Sequence, residues 1–284
     1  MHKDVFTLRQ TMQEEDFEFH HYLDEIPPVV EFHEHPFYEV FFFLSGNVNY
    51  IIEGRTYQLR PGDILLTTSR DIHRPEIFPG KPYERFVIWL ADDFLDKFHE
   101  RGEDLSACFT DAAQKKYRLI RPDEKTLMHL RALCERLTAL QEEHAFGSRL
   151  LCYTGITEFL VYLNRAYFDT PDSIRRDVTE SEKINQVLAY INENLAENLS
   201  LDRLASTFYI SKFYLNNQFK QYTGLTLYQY IIKKRVTVAR NMLRAGVPVM
   251  DACMRCGFND YSNFRKAFKR ECDRNPSDFI ERSR

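Results

Sequence analysis

Two hydrophobic rhythms divide the chain. Between residues 28 and 90 the apolar positions come in short runs rich in Val, Ile, Phe and Tyr. Run 38–44 stops at Ser45-Gly46-Asn47, run 48–52 at Glu53-Gly54-Arg55, and run 57–59 at Pro61-Gly62-Asp63; runs 64–67 and 86–90 follow. β-Prone runs with turn residues every 8–12 or so positions predict a sandwich or small barrel. After Ala91 the period lengthens. Leu127, Leu130, Leu133, Leu137 and Leu140 recur at steps of three and four, as on an amphipathic helix, and 150–167 reads as a second, more apolar one.

The last hundred residues keep the helical period and repeat it. In 181–194, Ile184, Val187, Leu188 and Ile191 share one face. Ser200 caps a helix over 201–208 with Leu201, Leu204 and Ala205 inward; Tyr209-Ile210 make a turn, and Ser211 caps the next helix. That helix turns Leu215, Phe219 and Tyr222 inward and Phe213, Asn216, Asn217 and Lys220 outward. Helix, tight turn and capped helix with polar residues outward predict a helix-turn-helix. The pattern returns about 49 residues on. A short helix at 249–256, a turn at Gly257-Phe258-Asn259-Asp260 and a helix from Ser262 place Phe264, Ala267 and Phe268 inward, with Asn263, Lys266, Arg270 and neighbouring Arg265 outward. Between the repeats, 227–244 predicts one long helix of about 27 Å at ~1.5 Å per residue. The resulting boundaries are a β-barrel domain with flanking helices at 1–168, a polar linker at 169–181 and an all-α domain with two helix-turn-helix motifs at 182–284.

Charge sharpens this division. The net charge is −4 over 284 residues, yet residues 200–284 hold 16 basic against 7 acidic side chains, leaving the rest at −13. A basic third on an acidic body suits a DNA-binding module joined to something else. No apolar run reaches the ~18 residues of a membrane span, and the N-terminus lacks the apolar core of a signal peptide. A cytoplasmic protein with reduced thiols is therefore expected. Of the six cysteines, Cys253 and Cys256 form a single C-x-x-C; both are expected to be small core residues.

One constellation in the N-terminal half carries chemistry. His33, His35 and Glu39 stand at even offsets, which puts them on one face of an extended chain, and His73 comes from a facing strand. These four can hydrogen-bond a polar effector, with Tyr38 and the nearby Phe37 and Phe41 as flat walls. They can equally ligate a divalent metal inside a barrel. No other cofactor is expected.

Residues 28–90 resemble the cupin motifs, through His33-x-His35-x3-Glu39-x6-Gly46 and Gly62-x10-His73. The resemblance implies either a metal centre of the kind used in dioxygenase, isomerase or decarboxylase chemistry, or a sensor pocket. The C-terminal third resembles the AraC/XylS family through Leu201-x2-Leu204-Ala205, Ser211-x3-Leu215-x3-Phe219-Lys220, Thr223-Gly224, Arg235-x3-Ala239, Gly257-Phe258, Phe264-x3-Phe268-Lys269 and Pro276-x2-Phe279; Leu227 stands where the family often has Pro, Asp273 where it has Gly and Ile280 where it has Arg. This likeness implies a transcription regulator, not an enzyme, that is controlled by an effector such as a sugar or related metabolite. It implies double-stranded DNA and RNA polymerase as partners. The leucine stripe from Leu127 to Leu140 and the apolar segment 150–163 offer more apolar surface than one barrel covers, which predicts a homodimer with its interface in 125–168. By matching position, Phe213, Asn216, Asn217, Ser262, Asn263, Arg265 and Lys266 face bases, and Lys220, Lys269 and Arg270 face phosphates. A metal-dependent cupin enzyme fused to a DNA-binding domain is the alternative reading.

Overall fold

The computed structural model describes residues 11–26, 28–69, 71–99, 103–143, 145–169, 178–180 and 182–279. The chain divides into two compact units, Met1–Ile52 with Thr56–Thr179, and Glu53–Arg55 with Glu180–Arg284. Of the expected linker 169–181, residues 170–177 and 181 lie outside the described residues.

The first unit is built on two sheets. Strands β1 (Phe17–Asp24), β2 (Tyr38–Ser45), β5 (Ile64–Thr67), β7 (Tyr83–Leu90) and β8 (Leu119–Ile120) form one, in the order β1-β7-β2-β5-β8. Strands β3 (Val48–Ile52), β4 (Arg55–Gln58), β6 (His73–Ile77) and β9 (Val178–Glu180) form the other, in the order β6-β3-β4-β9. Alternation along the strands sorts side chains into two cores. Phe41, Phe43, Leu65 and Val87 meet Val48, Tyr50, Ile52 and Tyr57 of the second sheet, forming the inter-sheet core. Val40, Phe42, Ile64, Leu66, Phe86 and Ile88 face the other way, onto helices.

Those helices are α1 (Asp92–His99), α2 (Ala107–Lys115), α3 (Glu124–Glu142) and α4 (Ser148–Asp169). Asp123 caps α3, accepting from the amides of Lys125 and Thr126. The leucine stripe of α3 turns inward: Leu130, Leu133 and Leu137 are buried in the helix–sheet core beside Ile156, Phe159, Leu160 and Leu163 of α4. The surface expected to pair two subunits is thus largely the protomer's own core. Among the described residues, the large apolar side chains left exposed on these helices are Met128, Leu150, Leu151 and Phe168.

The second unit is helical: α5 (Glu182–Glu193), α6 (Leu201–Thr207), α7 (Lys212–Thr223), α8 (Leu227–Arg244), α9 (Val249–Arg255) and α10 (Tyr261–Cys272), closed by a 3-10 turn at Pro276–Phe279. The caps are those the sequence offers. Ser200 accepts from the Arg203 amide and Ser211 from that of Tyr214, while Asp260 accepts from those of Ser262 and Asn263. The repeat extends to backbone conformation. α7 ends on Gly224 at φ 70° and α10 on Asp273 at φ 54°; Asp tolerates this left-handed position better than most side chains. Cys253 and Cys256 lie in the apolar core with Phe264 and Phe268, and all six cysteines are free thiols.

Gly257, in the second turn, is constrained twice. Its φ is +83°, and a Cβ there would stand 2.5 Å from the Leu195 carbonyl oxygen and 2.9 Å from the Ala196 Cα. Gly246 shares the conformation, at φ +80°, but faces open space. Gly246→Ala is therefore expected to lose only the left-handed penalty of about 1–2 kcal/mol. Gly257→Ala should lose at least ~1 kcal/mol more, because backbone has to move. Urea unfolding of the two variants measures the difference, and equal losses would mean that segment 195–196 yields freely.

Candidate functional site

The first unit holds a buried polar cluster at one end of its sheets. Glu39 lies on β2, paired in register with Trp89 of β7 and Thr67 of β5. His73 opens β6, and its backbone exchanges hydrogen bonds with that of His33 at 2.9 and 3.0 Å. This bridge sets the two imidazole centroids 4.3 Å apart, with His35 4.9 Å from His73. The expected four residues do converge. Only Glu39 and His73 belong to strands, however; His33 is an isolated bridge residue and His35 lies outside any strand.

All three imidazoles are oriented the same way. Nδ1 of His33 donates to the Glu31 carbonyl, Nδ1 of His35 to that of Phe37 and Nδ1 of His73 to that of Asp71, each at 2.9 Å. A carbonyl only accepts, so each Nδ1 carries the proton, and a neutral ring then presents a lone pair at Nε2. Nε2 of His35 lies 3.4 Å from one Glu39 oxygen and Nε2 of His73 3.8 Å from the other. Both nitrogens are buried and lack a hydrogen-bond partner. The carboxylate is held by Trp89, whose Nε1–H donates at 2.8 Å, and by Tyr50, whose hydroxyl donates at 3.3 Å.

Electrostatics follow from this packing. Burial opposes ionisation of Glu39, but the surrounding imidazoles, His35 first and then His73 and His33, outweigh it and hold the carboxyl well below its usual range. Burial, reinforced by His33 and His35, holds His73 well below the usual imidazole range, so it stays neutral. The ligand atoms of His35, Glu39 and His73 lie within 4.8 Å of one another, which meets the first requirement for sharing an ion.

Tyr38 is not part of this cluster. Its ring packs on Phe109 at 5.0 Å, against the helix-side core, because successive strand residues alternate faces. Phe37 does join the site, stacking on His35 with centroids 4.0 Å apart, while Phe41 packs on Tyr50. Trp89 and Tyr50 were not foreseen; their places depend on pairing between distant strands.

Behind His73 the Asp71 carboxylate accepts from the Thr68 amide at 2.7 Å and from Arg118 Nη2 at 2.5 Å. Arg121 grips Asp63 through two bonds, at 2.8 and 3.0 Å. Arg118 and Arg121 flank β8 just ahead of the α3 cap. Buried ion pairs are weak stabilisers, but they enforce a particular arrangement. Segment 118–123 is therefore tied to the stretch from Asp63 to Asp71 that leads into β6 and His73.

The second unit presents the other candidate surface. All ten expected DNA-facing residues are exposed: Phe213, Asn216, Asn217 and Lys220 on α7, and Ser262, Asn263, Arg265, Lys266, Lys269 and Arg270 on α10. Phe213 is 77% exposed despite its apolar ring. Arg265 donates to the Asn275 side chain and Arg270 to Glu271. Tyr209 was placed in the first turn by the sequence but not counted among the surface candidates. It is 92% exposed at φ +53°, and its counterpart 48 positions on is Gly257, so the repeat itself carried the signal. A cleft of about 500 Å³ beside α7 is lined by Asn216, Tyr228, Arg235 and Asn259, among others.

Comparison with known proteins matches one domain family to each unit. Residues 20–160 match the model of an AraC-like ligand binding domain, and residues 204–282 that of a helix-turn-helix domain. The HTH-type transcriptional activator RhaS of Klebsiella pneumoniae is 26% identical over 248 residues, 87% of this chain and 86% of its own. RhaS of an Enterobacter species is 27% identical over 253 residues, 86% of this chain and 85% of its own. Among solved structures, ToxT from Vibrio cholerae aligns over 94% of this chain and 98% of its own, at 14% identity and a TM-score of 0.35. The two models take in more than three quarters of the sequence, one on each unit, and the chain belongs to the AraC/XylS family of DNA-binding transcription regulators.

Proposed function

We propose that the chain regulates transcription in the cytoplasm in response to an effector held by His33, His35, Glu39 and His73, and that it reads DNA through α7 and α10. The observation that carries the second part is the shared exposure of Asn216, Asn217, Asn263 and Lys266 on helices whose opposite faces are buried. Their chemistry suits base edges. Asn pairs with adenine, Lys or Arg with guanine, and the Phe213 ring suits a thymine methyl. Lys220, Lys269 and Arg270 are assigned to phosphates, which position the protein without carrying sequence information. A regulatory role is preferred to a tethered enzyme because the named relatives are transcription activators. By the same analogy RNA polymerase is the proposed partner at the promoter.

Asn217→Ala and Lys266→Ala are each expected to lower affinity for a selected DNA site by about 1–3 kcal/mol if the residue reads a base. Fluorescence anisotropy on the selected site and on random duplex separates the roles. Equal losses on both reassign the residue to a phosphate, and no loss on either removes it from the interface.

A homodimer is proposed on narrower ground than the leucine stripe. Helix α4 keeps Leu150 and Leu151 exposed and Cys152, Tyr153, Val161 and Tyr162 half-buried. That is more apolar surface than a helix facing only water usually carries. Sedimentation at micromolar concentration should show a species of twice the 33.8 kDa chain mass, and Leu150→Glu should shift it toward monomer. A wild-type chain that sediments only as monomer, with DNA present or absent, contradicts this assignment.

A further inference from the structure

We propose that Tyr209, in the turn of the first helix-turn-helix, is a DNA-contact residue: its ring lies along the sugar–phosphate backbone at the edge of the groove that α7 enters, and its hydroxyl donates to a phosphate oxygen. The proposal rests on the reading of α7 as a DNA reader and adds a contact made by the turn that precedes it.

The two motifs close their first helices in the same way. After α6 the Tyr209 amide donates to the Ser206 carbonyl at 3.3 Å and the Ile210 amide to that of Ala205 at 3.0 Å. After α9 the Gly257 amide donates to the Met254 carbonyl at 3.0 Å and the Phe258 amide to that of Cys253 at 3.2 Å. This pair of bonds is the Schellman closure, whose left-handed residue is usually Gly and sometimes Asn. Gly257 follows that preference at φ 83°, whereas Tyr209 departs from it at φ 53°.

Nothing within the described protein offsets the strain. Tyr209 is 92% exposed, and among the described residues its side chain has no hydrogen bond, ion pair or ring contact. At Gly257 the Leu195 carbonyl and Ala196 leave no room for a side chain; the first turn leaves its side chain in solvent. A bulky ring held in a disfavoured conformation, with no contact of its own, points to a partner outside the chain.

Position in the motif identifies that partner. Tyr209 stands two residues ahead of Ser211, the N-cap of α7. In a helix-turn-helix the first helix crosses the DNA backbone and the N-terminal residues of the second meet base edges. The turn that joins them therefore borders the groove, against sugar and phosphate. Phe213, in the first turn of α7, is exposed beside it in sequence. Residues 200–284, with 16 basic against 7 acidic side chains, attract a phosphate chain rather than a basic or apolar protein surface. Tyrosine fits the contact, because its hydroxyl donates to phosphate oxygens and its ring can cover a deoxyribose.

The test compares the full chain with its Tyr209→Gly and Tyr209→Phe variants by fluorescence anisotropy, on a selected site and on random duplex, over a range of salt. Tyr209→Gly is expected to bind both duplexes about 10-fold more weakly, with Tyr209→Phe in between. A phenol carries no charge, so the slope of log affinity against log salt stays at its wild-type value, unlike the change of about 1 that loss of a lysine–phosphate contact gives. Urea unfolding of Tyr209→Gly is expected at the wild-type midpoint or above it, since glycine accepts the left-handed turn. A lower midpoint overturns the proposal, because Tyr209 would then serve the fold. A flatter salt slope does so as well, because charged contacts would then have been disturbed. Unchanged affinity for both duplexes also overturns it, including the case in which activation of RNA polymerase is lost and the ring is a protein contact. A loss confined to the selected site overturns it by marking a base contact. A wild-type chain that prefers no sequence strikes the regulator reading, while Tyr209→Gly on random duplex still decides the backbone contact.

Discussion

The DNA-binding half depends on one guanidinium. Arg235, midway along α8, donates through Nε to the Leu195 carbonyl at 2.9 Å and through Nη2 to that of Glu197 at 2.7 Å. It also stands over the Phe258 ring, and its Nη2 would lie 2.9 Å from a Cβ on Gly257. One side chain thus fastens the approach to the first helix-turn-helix and the turn of the second to the same point on one rod. Burial lowers the pKa of this group somewhat, but a guanidinium remains charged, and charge-assisted bonds to two carbonyls satisfy it. The rest of α8 follows the same logic. Tyr230 packs on Phe219 of α7, with centroids 5.3 Å apart, while Ile232, Val236, Ala239 and Leu243 belong to the core of α9 and α10. Neither lobe can rotate without unpacking the helix that both share.

The N-terminal half is organised by the opposite device, a charge placed where apolar packing would be expected. Glu39 sits in the row that runs on through Phe41 and Phe43, on the face that meets the second sheet. A carboxylate in that row is tolerated because Trp89, Tyr50 and three imidazoles surround it. A buried charge of this kind adds little to stability but enforces a particular arrangement of the strands that meet there. The two halves are thus organised differently: one around a guanidinium whose donors are met, the other around a buried carboxylate beside imidazole nitrogens that lack a hydrogen-bond partner.

Much of this was legible in the sequence, for identifiable reasons. Helix α8 appeared at its observed bounds because its apolar positions keep period and Thr226 supplies a full capping box with Gln229. The second helix-turn-helix was visible as a repeat of the first, since Leu215 and Phe219 return as Phe264 and Phe268. The four-residue cluster was legible from spacing, yet the same period-two argument excludes Tyr38, one position from Glu39, and that consequence was not drawn. Strand β1 was missed because its residues, Phe17–Asp24, mix apolar and polar side chains without clean alternation, are mostly half-exposed and are held by pairing with β7 about sixty to seventy residues away. Trp89 and Tyr50 could not be placed at Glu39 for the same reason: register between distant strands is set by the whole sheet. The leucine stripe on α3 was read correctly as one face, but amphipathicity does not say whether the face meets its own sheet or another subunit.

Helix α8 holds α7 and α10, the two proposed readers, at one separation. A helix of about 27 Å with both lobes packed against it should set the readers close to one DNA turn, ~34 Å, apart. The direct measurement selects preferred DNA from a random pool and then varies the spacing between the two sequence boxes recovered. The account predicts boxes centred about 10 base pairs apart, with affinity falling to that of a single box when ~5 or ~10 base pairs are inserted between them. Affinity indifferent to spacing, or restored by inserting a full turn, would show that the two motifs act through a flexible tether and would contradict the claim.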